Sequence, residues 1–101
     1  MRGPETRLRL KIKKRLEELW PAAWIRKIHG SKFMHVGIPD YICCIDGEFF
    51  GLEVKIPGGK ATPSQLLEGK KIVLAKGHFA VVTSVEEATE FVRKTLKEKR
   101  L

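Results

Sequence analysis

The sequence predicts a small α/β fold, a mixed sheet flanked by helices in the order helix, three strands, helix, strand, helix. Three features carry this expectation. Apolar residues recur at helical spacing in three stretches, two of them opened by Thr or Ser caps. Two runs rich in Ile, Val, Phe and Tyr are joined by Asp46-Gly47, the dipeptide of a tight hairpin turn. A further apolar run, His78 to Thr83, follows a whole helix, and a strand reached across such a crossover runs parallel to its neighbour. The chain of 101 residues is expected to form one domain over 1–101 with a single core.

Pro4 suits a first helical turn, and Leu8, Ile12, Leu16 and Leu19 then recur on one face until Pro21 stops the pattern. Lys11, Lys14 and Arg15 lie on the outer face of that helix. Trp24 to His29 reads as a strand ending at Gly30, and Ser31 to Gly37 as a loop. Asp40 to Ile45 and Glu48 to Ile56 form the hairpin, which Pro57-Gly58-Gly59 ends. Thr62-Pro63-Ser64-Gln65 has the form of a capping box, followed by Leu66, Leu67, Val73 and Leu74, with Gly77 as the stop. Ser84-Val85-Glu86-Glu87 reads as a second capping box, leading a stripe of Ala88, Phe91, Val92, Thr95 and Leu96; the tail from Lys97 to Arg100 is expected to fray.

A formal net charge of +8, spread along the whole chain, favours a polyanionic partner, because Lys and Arg that neutralise phosphates release condensed counterions. A merely soluble basic protein has the same balance. No apolar run approaches the roughly twenty residues that span a bilayer, and the first residues are too polar for a secretory signal, so a cytoplasmic protein without membrane partners is expected. Cys43 and Cys44 are strand neighbours that point to opposite faces, which argues against a disulfide between them. With His29, His35 and His78 scattered, no zinc pattern arises, and nothing pairs a nucleophile with a base. Gly58-Gly59-Lys60 fails as a phosphate loop, since Val54 stands where its first glycine belongs and Ala61 replaces the Ser or Thr.

The hairpin carries the chemistry. Counting outwards from a two-residue turn in which Ile45 faces Glu48, Asp40 falls opposite Glu53, and Lys55 lies two residues on, on the same face. Opposed residues have Cβ atoms about 5 Å apart, so a short Asp and a longer Glu can share a hard cation that takes oxygens at about 2.1 Å. Without a cation, two such carboxylates repel and one has a raised pKa. A metal held there would bind a phosphate oxygen and acidify a water, with Lys55 to orient that water or neutralise charge at phosphorus. The alternative is a surface ion pair worth at most about 1 kcal/mol. Pro-Asp followed by Glu-x-Lys arises by chance in roughly one such chain in a hundred, so the shared register carries more weight than the letters.

Gly37-Ile38-Pro39-Asp40, the Asp-Gly turn, Gly51-Leu52-Glu53-Val54-Lys55 and Thr62-Pro63-Ser64-Gln65 together resemble the virus-type replication-repair nuclease (VRR-NUC) domain of the PD-(D/E)xK superfamily. The resemblance covers nearly the whole chain and is to the standalone type found in phage and bacterial genomes. It implies a restriction-endonuclease-like core, with Asp40 and Glu53 as metal-binding acids, the carbonyl of Val54 as a further ligand, Lys55 as the catalytic lysine and Gln65 as a helix-borne residue beside the site. Gln65 also has a capping position, and the two roles are compatible. Members usually add an acid from the first helix. Glu5 is the choice for it, being in line with Leu8, Ile12 and Leu16 and so directed inwards, although a Glu there also suits the positive end of the helix dipole.

Lys60 on the loop rim, with Lys32 and His35 in the preceding loop, are candidate DNA contacts. The implied activity is Mg²⁺- or Mn²⁺-dependent cleavage of branched DNA, four-way junctions above all, by a homodimer whose two sites match the substrate's two-fold symmetry. No small-molecule cofactor is expected. Trp20, Trp24, Phe33 and Met34 are interface candidates. A non-catalytic basic nucleic-acid-binding module, or a nuclease for flaps or other DNA structures, remains the alternative.

Overall fold

The computed structural model describes residues 3–29 and 35–100. Its elements are α1 (Pro4–Leu19), β1 (Trp24–Lys27), β2 (Tyr41–Ile45), β3 (Glu48–Val54), α2 (Pro63–Leu74), β4 (His78–Val82) and α3 (Val85–Lys99), in the expected order. The sheet runs β1-β2-β3-β4; β1, β2 and β3 are antiparallel, and β4 lies parallel to β3 across the α2 crossover. Both Asp46 and Gly47 have positive φ, 51° and 80°, the conformation of a hairpin turn whose twist matches its strands. Ile45 pairs with Glu48 and Tyr41 with Leu52, the register the turn dictates.

Alternation sorts the side chains into two layers. Tyr41, Cys43 and Ile45 from β2 and Phe50, Leu52 and Val54 from β3 join Ile12 and Leu16 of α1 and Ala88, Val92 and Leu96 of α3 in one core. The intervening residues of β3 meet α2 instead. A Cβ at Gly51 would come within 2.9 Å of Ile72, and one at Gly69 would sit inside the Phe79 ring, so two missing side chains let α2 lie flat on the sheet. Covered on both faces, β3 loses the buried-exposed alternation of an antiparallel strand.

Several local expectations are corrected. β1 ends at Lys27 rather than His29, although the N–H of Ile28 still donates to the Asp40 carbonyl, and β3 ends at Val54 rather than Ile56. Leu66, Leu67, Val73 and Leu74, the apolar residues that mark α2 in the sequence, are 52–73% exposed, because α2 contacts the sheet through Gly69 and Ile72. Gly77 does close α2, as expected: its N–H and that of Lys76 bond the Ile72 and Val73 carbonyls, and the left-handed residue of the turn is Lys76, at φ 73°.

At α3 the Ser84 hydroxyl accepts from the Glu87 N–H, but the Glu87 carboxylate reaches the N–H and hydroxyl of Thr83, one residue before the cap. Those bonds hold the Glu87 carboxyl below its usual range. The tail does not fray: α3 continues through Lys99, and Arg100 pairs with Asp46 at 2.5 Å.

Candidate active site

Asp40 precedes β2 by one residue, where its carbonyl still accepts from Ile28 of the chain leaving β1. One step past the last ladder pair, it stands across from Glu53. This is a position between hydrogen-bonded pairs, where side chains approach most closely. Asp40 Oδ2 accepts the Val54 N–H at 2.8 Å, so the carboxylate lies along the end of the sheet against β3. A strand residue's N–H and C=O point to the same side, which turns the Val54 carbonyl towards Asp40 as well.

Glu53 is 2% exposed, and so is not half of a surface ion pair. Its Oε2 accepts the Gln65 amide at 3.0 Å and lies 3.5 Å from Lys55 Nζ, while Oε1 is buried with no hydrogen-bond partner. Burial first, and the Asp40 carboxylate second, push the Glu53 carboxyl up to about 7, against the pull of Lys55. The side chains of Asp40 and Lys55 are 16% and 17% exposed, so the cluster reaches solvent through them rather than through Glu53.

Gln65 serves its helix cap and bonds Glu53 with the two ends of one amide. Its Oε1 accepts the Thr62 N–H at 2.8 Å as the returning half of the capping box, and its Nε2 is left to donate to Glu53. The cap therefore orients the group that holds Glu53.

The remaining candidates lie apart from this cluster. Glu5 does not point into the interior: its side chain is 41% exposed and bonds Arg9 at 3.3 Å, because α1 packs on the sheet face opposite Glu53 and Gln65. His35 is bound to Glu68 of α2 at 2.7 Å, and Lys60 is exposed on the loop between β3 and α2. Lys32 lies outside the described residues. One close residue escaped sequence reasoning. Lys27 Nζ stands 3.8 Å from Asp40 Oδ1 and donates to the Ile28 carbonyl. The pairing of Lys27 with Tyr41 makes it a neighbour of Asp40, but no tight turn joins β1 to β2 to reveal that register.

The donor set suits a hard divalent cation: two carboxylates, one carrying a buried oxygen without a partner, and a backbone carbonyl turned to the same edge. Among the described residues no three His, Cys, Asp or Glu side chains converge as a metal cluster, so the carbonyl and water would have to complete the shell.

No protein-family model and no curated protein matches the sequence. Among solved structures, one described as a VRR_NUC domain superposes with a TM-score of 0.72 at 25% identity, covering 88% of this chain and 94% of that one. In its motif residues and in its architecture alike, this chain resembles the VRR-NUC domain over nearly its whole length.

Proposed function

We propose that this chain is a Mg²⁺- or Mn²⁺-dependent DNA endonuclease that cuts branched DNA, four-way junctions in particular. The observation that carries the proposal is the buried Glu53 carboxylate, kept beside Asp40 with one oxygen unpartnered. A buried carboxylate beside a second acid costs stability unless something compensates it, and the fold retains this one next to a partly exposed Asp40. Asp40, Glu53 and the Val54 carbonyl would hold the metal. Bound there, it supplies Lewis acidity towards a scissile phosphate and lowers the pKa of water.

The chain's own groups do the rest. Lys55, 3.5 Å from Glu53 and partly exposed, would orient the attacking water and neutralise charge gathering on phosphorus. Gln65 fixes the Glu53 carboxylate through a helix cap, which limits rearrangement during the reaction. Lys60 and His35 would meet flanking phosphates, as would Lys32, which lies outside the described residues. His35, itself 67% exposed, would have to leave Glu68, whose side chain is 15% exposed.

A second copy of the chain is the proposed protein partner, matching a two-fold junction with two sites. Trp24 is 44% exposed with the Arg26 guanidinium 4.9 Å from its ring, whereas Trp20 packs against the core. Phe33 and Met34 lie outside the described residues. The exposed stripe of α2, beginning at Leu66 beside Gln65, is where a second copy would cover most apolar surface.

Incubation of the purified protein with a labelled four-way junction, with and without Mg²⁺, tests the activity. Wild-type protein cuts only with metal, and Asp40→Asn binds the junction but leaves it whole. Cleavage by Asp40→Asn at the wild-type rate would remove Asp40 from the site, and a panel of flaps, duplexes and single strands ranks the substrates.

A further inference from the structure

We infer that a cavity between α1 and the end of β1 and β2, of about 570 Å³, is a second phosphate site for the DNA strand that runs past Asp40. The inference rests on the nuclease reading for its ligand, but on its own residues for its chemistry. Arg9, Lys13, Lys27 and His29 line the cavity, with Thr6 and Tyr41 beside them, and no carboxylate is in the lining. The acids that partner these cations, Glu5, Glu17 and Asp40, stand outside it.

Two of those partners hold weakly. Glu5 and Glu17 are 41% and 45% exposed and pair with Arg9 and Lys13 one helical turn on, the kind of contact that a phosphate readily replaces. Arg9 is itself only 19% exposed, and its bonds to Glu5 and Thr6 leave further N–H donors of the fork uncommitted. A half-buried guanidinium with spare donors suits the paired oxygens of a phosphate. The Tyr41 hydroxyl already donates to the Arg9 carbonyl, so it fixes the α1 backbone beside the cavity.

Lys27 joins this cavity to the candidate active site, since it lines the one and stands against Asp40 of the other. A phosphate held by Arg9 and Lys13 therefore belongs to the same strand as one at Asp40. It is either an internal phosphodiester or the monoester at a strand end.

The test measures binding in EDTA, by fluorescence anisotropy across a salt series, with duplexes ending in 5′-phosphate or 5′-hydroxyl. Arg9→Met with Lys13→Met is compared with Lys94→Met with Lys97→Met, a pair of equal charge change on exposed positions of α3. The first pair is expected to weaken binding roughly tenfold more than the second and to reduce the salt slope by about 2. Loss of a preference for 5′-phosphate assigns a strand end, and an equal loss on both duplexes an internal phosphodiester. Arg9→Lys, which keeps the charge and the stem, weakens binding several-fold with the slope unchanged, and it serves if the double variant fails to fold. Equal weakening by both pairs, or no effect of Arg9→Lys, overturns the site. Mg²⁺-dependent junction cleavage by wild-type protein is scored separately, so a failed cavity and a failed nuclease give different patterns.

Discussion

Glu53→Gln should make the metal-free protein more stable at pH 8, and the size of the gain follows from where the carboxyl titrates. Burial and Asp40 raise it from an ordinary 4.5 to about 7 in the folded protein. In the unfolded chain it titrates normally. Between those values the folded state keeps a proton that the unfolded state has lost, so stability falls as pH rises. The contribution of the neutral carboxyl is fully present below about 4.5 and gone once pH has passed about 7. At about 1.4 kcal/mol per pKa unit the whole span is about 3 kcal/mol. Gln never ionises and still offers an oxygen to Gln65, but Lys55 loses its anionic partner, so this figure is an upper bound.

Urea unfolding from pH 5 to 9 in EDTA reads the effect directly. The difference between variant and wild type should be smallest near pH 5, grow towards pH 7.5, and then level off. Added Mg²⁺ should restore the wild type at pH 8 and leave Glu53→Gln unmoved, because a ligand of the folded state stabilises in proportion to its occupancy. Parallel curves for the two proteins across this range would show that Glu53 is already charged and relaxed in the folded state. The assignment of its buried oxygen to a cation would then lose its support.

Other perturbations probe separate links. Gln65→Ala removes a capping acceptor and the donor to Glu53 together, so chemical denaturation should show a loss of about 1–2 kcal/mol, with slower Mg²⁺-dependent cleavage than wild type. Leu67→Glu with Leu74→Glu alters exposed positions, so the melting temperature should hardly change, whereas light scattering should report a monomer in place of a dimer; an unchanged mass moves the interface off α2. Lys76→Gly relieves a left-handed residue and should stabilise by a few tenths to about 1 kcal/mol in thermal melts; destabilisation would mean that the Lys76 side chain contributes more than its backbone costs.

The hairpin was legible because a two-residue turn leaves no freedom: once Ile45 faces Glu48, the positions of Asp40, Glu53 and Lys55 follow by parity. Gln65 was legible for a similar reason, since a capping box fixes the side chain at its third position. What hid were contacts set by packing between elements distant in sequence. The leucines of α2 have the look of a core stripe, and only the approach of Gly69 to Phe79 reveals which face the helix buries. Glu5 is in register with the apolar face of α1, yet that face packs on the side of the sheet opposite Glu53, and Arg9 collects the carboxylate.

The same logic explains why the site sits where it does. A parallel strand beside β3 and helices on both faces make β3 the most enclosed strand, and a carboxylate placed on it is stripped of water before any partner is chosen. Asp40 meets it at the end of β2, where the ladder stops and solvent begins. One acid is thus forced towards its neutral form by the fold, while the other is left open to exchange its lysine partner. A cation that offers charge to both would relieve the first and displace the lysine from the second, so the pair is expected to respond to a metal more strongly than either acid would alone.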